Sequence, residues 1–344
     1  VGPVTAAPPA TDEVAENGLW FRVDGAGAGG GARRAAERLA GQLGFPPGRV
    51  GDVAVVAAEL TSNLVKHAVG GTLLVRPVRA GRHAGVELFA VDSGPGILDL
   101  RVSARDGHST AGTLGVGLGA IARMSSTHDV YSEPGRGTVV AVQVWPPDVP
   151  VPPPASCGVL RAMDWESPCG DGYAVRDADG RTQLLAVDGL GHGPLAAVAA
   201  QAATAAFRAA PVEPPAALVE RLHRALSGTR GAAVAVAELD PAAGEVRYSG
   251  LGNIAGAVLD DRGRRGMVSL PGIAGHQRRT VREYRYPLPP AALVLLHSDG
   301  VSDRWQLDDY PGLLDHPPPV VAATVLRDAG VRRDDACVLV AAAS

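Results

Sequence analysis

Lysine is almost missing from this chain: Lys66 is its single lysine, and His67 follows it. A Walker A loop needs Gly-Lys-Ser/Thr to hold nucleotide phosphates, so a P-loop NTPase is excluded. The protein-kinase set of strand lysine, HRD and DFG is missing as well. Any phosphate chemistry therefore runs on another scaffold. Cysteine is scarce: Cys157, Cys169 and Cys337 are odd in number and widely spaced. That argues against a disulfide framework or a zinc ribbon and suits a reducing cytoplasm. No apolar run reaches the roughly 18 residues of a membrane span. The net charge of -4 argues against a nucleic-acid or anionic-membrane role, which needs a basic face. The opening VGPVTAAPPATDEVAENG lacks the basic-then-apolar order of a signal peptide.

Proline marks the main boundary. Pro146-Pro-Asp-Val-Pro150-Val-Pro152-Pro-Pro154 suppresses helix and internal strand and favours a semi-rigid spacer. The reading is a leader over 1–17, which is small, Pro-containing and polar, a domain over 18–145, a linker over 146–155 and a domain over 156–344. The first domain is expected to have strands at Leu19–Val23, Thr72–Val78, Val86–Asp92, His128–Ser132 and Thr138–Trp145. Its helices are expected at Arg33–Leu43, Val50–Ala68 and Val116–Met124. In the second domain, Tyr173–Val175 and Gln183–Val187 pair around Asp179-Gly180, and a second hairpin joins Val234–Leu239 to Glu245–Gly250. Helices run from Pro194 to about Ala210 and near Ala216–Leu226, and strands at Leu293–His297 and Cys337–Ala341. Helices set among hairpins imply α+β layers. Gly25-Ala-Gly27-Ala-Gly29-Gly30 imitates a dinucleotide fingerprint, but Asp52, about where the ribose-binding acid should be, lies inside the next helix pattern. It reads as a flexible turn.

Four features follow in order between residues 59 and 138. Glu59 and Asn63 are spaced i, i+4 and project from one helix face. An amide oxygen can bind Mg2+, and a carboxylate can act as a general base. Asp92-Ser-Gly94-Pro-Gly96 follows a strand, where a carboxylate can accept from an adenine amino group and glycines allow close backbone approach. Gly112-Thr-Leu-Gly115-Val-Gly117-Leu-Gly119 runs into a helix whose N–H groups suit phosphate oxygens. Gly135-Arg-Gly137-Thr138 opens the last strand. In this order the stretch resembles the GHKL (Bergerat-fold) ATPases, and within them the RsbT-like anti-sigma-factor serine kinases. AELTSNLVKHA, VDSGPGI, DGHSTAGTLGVGLGAI and EPGRGTVV carry the resemblance. It implies a Bergerat α/β sandwich, with helices on one face of a mixed sheet, that binds Mg2+-ATP. By that resemblance Glu59 activates the substrate hydroxyl, Asn63 holds Mg2+, Asp92 reads adenine, and Gly94 and Gly96 shape that side. Gly115 and Gly117 contact phosphates, and Thr138 supports the adenine site. His67, one turn beyond Asn63, reads as a packing residue.

The second domain has four aspartate-bearing turns: Gly170-Asp171-Gly172, Asp188-Gly-Leu-Gly-His-Gly193, Ser298-Asp299-Gly300 and Arg333-Asp334-Asp335. Carboxylates gathered at one end of a sheet repel unless cations fill them, and oxygen-only ligands point to Mg2+ or Mn2+. VDGLGHG, LLHSDGVSD and RRDDACVLV resemble the PPM-type Ser/Thr phosphatases, in the bacterial SpoIIE and RsbX-like branch. The resemblance implies an α-β-β-α sandwich with two Mn2+ or Mg2+ ions. By that resemblance Asp188, the Gly189 carbonyl, Asp299 and Asp334 are ligands, Asp171 contacts a metal directly or through water, and Asp335 is the register alternative to Asp334. Cys337 reads as a core residue and His192 as structural. The phosphate-binding arginine of the eukaryotic branch has no secure counterpart, and Arg161, Arg176 and Arg304 are candidates.

Together the resemblances imply a cytoplasmic, bifunctional partner-switching regulator. Its kinase half phosphorylates Ser or Thr on a STAS-type anti-sigma antagonist or stressosome scaffold protein, and its phosphatase half removes the phosphate. A sigma factor or a second phosphatase is a further partner the resemblance allows. The alternative is an ATP-gated binding module fused to an active phosphatase.

Overall fold

A computed structural model describes residues 18–25, 27, 29–97, 117–151, 153–163, 168–276, 280–331 and 333–343. The expected leader, 1–17, lies outside them. The chain divides into two compact units, Val1–Pro152 and Pro153–Ser344. Among the described residues no helix is long and apolar enough to cross a membrane.

The first unit runs β1 (Leu19–Arg22), α1 (Gly29–Gln42), α2 (Pro47–His67), β2 (Thr72–Ala80), β3 (His83–Val91), α3 (Gly117–Met124), β4 (Thr127–Glu133) and β5 (Gly137–Val144). α2 starts on Pro47, where a missing N–H costs nothing, and ends on Lys66 and His67, whose positive character suits the helix C-terminus. Its buried stripe of Val53, Val56, Ala57, Leu60 and Leu64 follows the helical repeat and packs into one core with Leu73, Val75, Val86, Leu88 and Val142 of the sheet. α1 contributes the small residues Ala32, Ala36 and Ala40 to that core. The two helices approach closely at Gly29, where a Cβ would sit 3.0 Å from Thr61 Oγ1. The glycine run thus opens a helix that packs on a second helix. With two helices between β1 and an antiparallel β2, there is no βαβ unit, which removes the dinucleotide pattern. Arg49 ties three ends together, donating to the carbonyls of Trp145 at 2.8 Å and Met124 at 2.8 Å and to Ser126 Oγ at 2.7 Å.

The sheet order is β1-β2-β3-β5-β4. Every neighbouring pair in it is antiparallel, a correction to the expected mixed sheet. The cause is topological. The connection through α3 makes β4 run parallel to β3, but β5 turns back and inserts between them. The sandwich itself, with helices on one face of a sheet, is as expected.

The second unit has two sheets. One has the order β13-β10-β9-β8-β7, with β14 beside β10. Its strands are β7 (Asp171–Ala178), β8 (Arg181–Gly189), β9 (Ala232–Asp240), β10 (Glu245–Leu251), β13 (Ser269–Leu270) and β14 (Tyr284–Pro287). The other has the order β12-β11-β15-β16-β6, from β6 (Ser156–Arg161), β11 (Ala255–Asp260), β12 (Gly263–Met267), β15 (Leu293–His297) and β16 (Ala336–Ala342). Their facing sides share a core that includes Leu184, Ala235, Tyr248, Val258, Val294, Leu296 and Leu339. The outer side of the first sheet packs on α4 (Pro194–Ala209) and α5 (Pro215–Ala225) through Leu185, Val187, Val234, Ala203, Phe207 and Leu222. α6 (Pro318–Ala329) packs on β6 and β16, completing an α-β-β-α sandwich. The Asp179-Gly180 turn has both residues at positive φ, 53° and 74°, as a two-residue hairpin requires.

Both units carry a buried polar rung across strands. In the first, Arg76, Glu87 and Gln143 stand opposite one another on β2, β3 and β5. Arg76 meets Glu87 at 2.6 Å, and Gln143 donates to Glu87 at 2.8 Å. In the second, Gln183 donates to Glu238 at 2.6 Å and accepts from Arg176 at 2.7 Å. With Arg76 and Glu87 side chains only 6% and 2% exposed, removing one charge strands the other. Arg76→Met is expected to lower stability by about 3–5 kcal/mol in urea unfolding. Adding Glu87→Gln, which keeps an acceptor for Gln143, should recover part of that loss.

Candidate active sites

In the first unit, α2 presents Glu59 and Asn63, both half-buried, to the start of α3. A Cβ on Gly117 would lie 3.2 Å from Asn63 Oδ1 and 3.3 Å from Glu59 Oε2, so the glycine lets backbone close on both side chains. A second cluster forms where β3 ends. Asp92 N donates to the Thr138 carbonyl at 3.0 Å, and Gly94 N donates to Asp92 Oδ1 at 2.7 Å. Gly96 has φ 72°, and a side chain there would overlap the Glu133 carbonyl. Gly137, at φ 100°, likewise has no room beside the Asp92 carbonyl. Thr138 Oγ1 shares a 2.9 Å hydrogen bond with Ser132, whose Oγ accepts from Ile97 N at 2.8 Å. Asp92, Gly94, Gly96 and Thr138 are therefore brought together. α2 connects the clusters: Gly94 lies against the carbonyl of His67, with Asn63 and Glu59 one and two turns back. Gly115 lies outside the described residues. His67 is exposed, so the expected packing role is corrected: the helix ends there, and its final turn leaves the core. A carboxylate, an amide oxygen and three glycines that admit backbone fit a Mg2+-nucleotide. Ser132, whose hydroxyl bonds both Ile97 N and Thr138 Oγ1, has no signal in the sequence.

In the second unit, Asp171 and Asp188 are not turn residues. They lie inside β7 and β8 as direct cross-strand partners. Such partners project from one face within reach of each other. Gly189 N donates to the Gly170 carbonyl at 3.0 Å, and a side chain on Gly189 would overlap the Ala196 carbonyl. Asp299 follows β15, while Asp334 and Asp335 precede β16 beside it. A side chain on Gly300 would overlap the Asp335 carbonyl, so this glycine fixes how closely the two ends meet. Two neutral side chains join the sheets. Ser298 Oγ donates to Asp171 Oδ2 at 2.5 Å and accepts from Cys337 N at 2.9 Å. Asn253 donates to Asp299 Oδ2 at 2.7 Å and also bonds Asp188.

The electrostatics follow from this crowding. Burial, then the charge of Asp188, pushes the Asp171 carboxyl well above the usual range, against the pull of the Ser298 hydroxyl. Burial, then Asp299, raises Asp188 to about 7. Burial, then Asp299, raises Asp334 as well, while His192 draws it down. No group of three or more His, Cys, Asp or Glu side chains among the described residues is already gathered as a metal-holding set. The carboxylates stand close enough to act on one another's charge, and Ser298 and Asn253 each occupy only one oxygen of a partner. An oxygen donor set of this kind fits hard divalent cations.

Asp334 and Asp335 have different work. Asp335 is buried, and its two oxygens accept from Met163 N and Gly170 N, each at 2.8 Å. Asp334 is half-buried and faces Asp299. Arg161 donates to the Val331 carbonyl at 2.7 Å. Arg176 donates to the Ala210 carbonyl at 2.6 Å and stacks on Phe207. Both guanidiniums are thus spent on structure. Arg304 is exposed. His192 is also exposed, beside Asp334, so its expected structural role is corrected: its loop stands clear of the core. Cys337 is fully buried, as a core residue should be.

Residues 33% of the chain in extent, covering 86% of the relative, are 32% identical over 114 residues to serine/threonine-protein kinase RsbT of Bacillus subtilis (strain 168). Through its first half the chain belongs to the RsbT family. The histidine kinase-like ATPase domain matches residues 27–144, and stage II sporulation protein E (SpoIIE) matches residues 178–343. The chain thus joins an RsbT-type unit to a second unit that resembles SpoIIE over residues 178–343. A chain from the structure described as "The bacterial stressosome: a modular system that has been adapted to control secondary messenger signaling" is 29% identical, with a TM-score of 0.51. That match covers 54% of this chain and 98% of that one.

The division of labour between the paired aspartates can be read in stability. In chelator-treated protein, Asp335→Ala leaves two backbone N–H groups without an acceptor and should cost about 2–4 kcal/mol in urea unfolding. Asp334→Ala relieves like-charge crowding and should stay within about 0.5 kcal/mol of wild type or exceed it. The reverse order would exchange the two assignments.

Proposed function

We propose that the chain is a bifunctional partner-switching regulator. Its RsbT-type unit phosphorylates Ser or Thr of a STAS-type partner with ATP, and its SpoIIE-type unit hydrolyses the phosphoprotein. One observation supports the pairing: each unit has its own candidate donors near one another, Glu59 and Asn63 against Gly117 in one, and Asp171, Asp188, Asp299 and Asp334 within reach of one another's charge in the other.

In the first unit, Asn63 would hold Mg2+, Asp92 would accept from the adenine amino group, and Thr138 would support that side. Gly94 and Gly96 would shape that side of the pocket, while Gly115 and Gly117 would offer backbone to the phosphates. Bound Mg2+ supplies neutralisation of phosphate charge. Glu59 takes the proton of the substrate hydroxyl as its oxygen forms a bond to the γ-phosphorus. The bond from that phosphorus to the bridging oxygen breaks, and ADP leaves.

In the second unit, Asp188, the Gly189 carbonyl, Asp171, Asp299 and Asp334 would hold two Mn2+ or Mg2+ ions. Bound divalent cations supply Lewis acidity and a more acidic water. Ser298 and Asn253 position the carboxylates by donating to one oxygen of Asp171 and of Asp299. The water oxygen bonds to phosphorus, the phosphorus–serine oxygen bond breaks, and a proton passes to the serine oxygen.

The test follows 32P from ATP to a purified STAS-domain protein in Mg2+, then its release in Mn2+. Glu59→Ala should lower labelling at least about 100-fold and leave release intact. Asp188→Ala should do the opposite. Wild type that binds ATP yet labels no partner, while Asp188-dependent release persists, would make the first unit an ATP-gated adaptor.

A further inference from the structure

The phosphatase reading, on which this inference rests, needs a cation for the phosphoryl oxygens at the mouth of a carboxylate cluster. A guanidinium suits that role because its planar fork binds phosphate through paired N–H groups. Most described arginines of the unit are committed elsewhere. Arg161 and Arg176 bond backbone carbonyls. Arg181, Arg221, Arg247, Arg264, Arg265, Arg285 and Arg327 pair with carboxylates.

Arg230 is not among them, and neither are Arg304 and Arg333. Arg230 is exposed, and no hydrogen bond or ion pair engages its guanidinium among the described residues. Its place is set by sheet register. Asp188 stands opposite Ala233 and Gly189 opposite Ala232, and Leu190 N donates to the Gly231 carbonyl at 3.0 Å. The next step along the pair sets Arg230 beside Gly191. There Arg230 Nη1 lies 3.3 Å from where a Cβ on Gly191 would be. Gly191 has φ 89°, so glycine is needed for the turn and also clears the space under the guanidinium. The same loop carries His192, which is close enough to Asp334 to act on its charge. The loop that leaves Asp188 of the carboxylate cluster thus passes beside a guanidinium with no partner among the described residues.

We infer that Arg230 grips the substrate phosphoryl group and is the phosphate-binding residue of the SpoIIE-type unit. Arg304 and Arg333 are the comparison positions, being exposed arginines near Asp299 and Asp334 in sequence. The assay uses the full chain with Mn2+, a phosphoserine peptide as substrate and inorganic phosphate as the probe. Binding of inorganic phosphate is measured by calorimetry and as competitive inhibition. Arg230→Ala should raise KM and the phosphate dissociation constant by about tenfold to a hundredfold, with a smaller change in kcat. Arg230→Lys should fall between, because it keeps charge and loses the fork. Arg304→Ala and Arg333→Ala should bind phosphate as wild type does, and Mn2+ titration should be unchanged in all variants. Unchanged phosphate affinity in Arg230→Ala, or a loss confined to Arg304→Ala or Arg333→Ala, overturns the inference. Wild type that releases no phosphate from the peptide defeats the phosphatase reading instead, and the calorimetric comparison still decides Arg230.

Discussion

Carboxylates repel one another, and the second unit places Asp171, Asp188, Asp299, Asp334 and Asp335 within reach of each other's charge. Much of the local architecture answers that constraint. Asp171 and Asp188 cannot separate, because β7 and β8 hold them opposite each other. Asp299 and Asp334 cannot separate far, because Gly300 meets the Asp335 backbone. Ser298 and Asn253 donate to the crowded oxygens and stitch one sheet to the other. Asp335 is drawn out of the competition by two backbone N–H groups. A site of this kind carries an electrostatic cost when its carboxylates are ionised, and divalent cations are the natural offset.

The first unit reaches its site by a different route. There the constraint is space. Gly117 lets the start of α3 close on Glu59 and Asn63, while Gly96 and Gly137 let the ends of β3, β4 and β5 meet around Asp92. The absent Cβ does the positioning. What the units share is a buried polar rung, Arg76-Glu87-Gln143 in one and Arg176-Gln183-Glu238 in the other. A polar register mark of this type penalises a strand slip, since a slip would bury unpaired charge.

Some features were legible because their signal is local. Asp179-Gly180 demands positive φ, Pro194 opens a helix, and the stripe on α2 has the helical period. Others misled for equally local reasons. The glycine run before Arg33 looks like a turn or a phosphate loop, yet its end starts α1, because Gly29 must pass close to Thr61. Asp171 in Gly-Asp-Gly looks like a turn residue, but pairing with β8 extends the strand through it. The helix α6, whose entry the prolines at 317–319 form, is not among the expected helices.

The sequence alone determined the two-part organisation, most strands and helices, and the residue types that could carry phosphate chemistry. Periodicity, proline and glycine act within a few residues, so they can be read without a fold. The tertiary structure alone decided the antiparallel insertion of β5, the separate employment of Asp334 and Asp335, and which arginines are free. It also brought in Ser298 and Asn253. The reason is distance along the chain: Ser298 meets Asp171 across 127 positions, and Asp335 meets Gly170 across 165. Contacts of that span leave no mark in local composition, and only the packing of two sheets makes them.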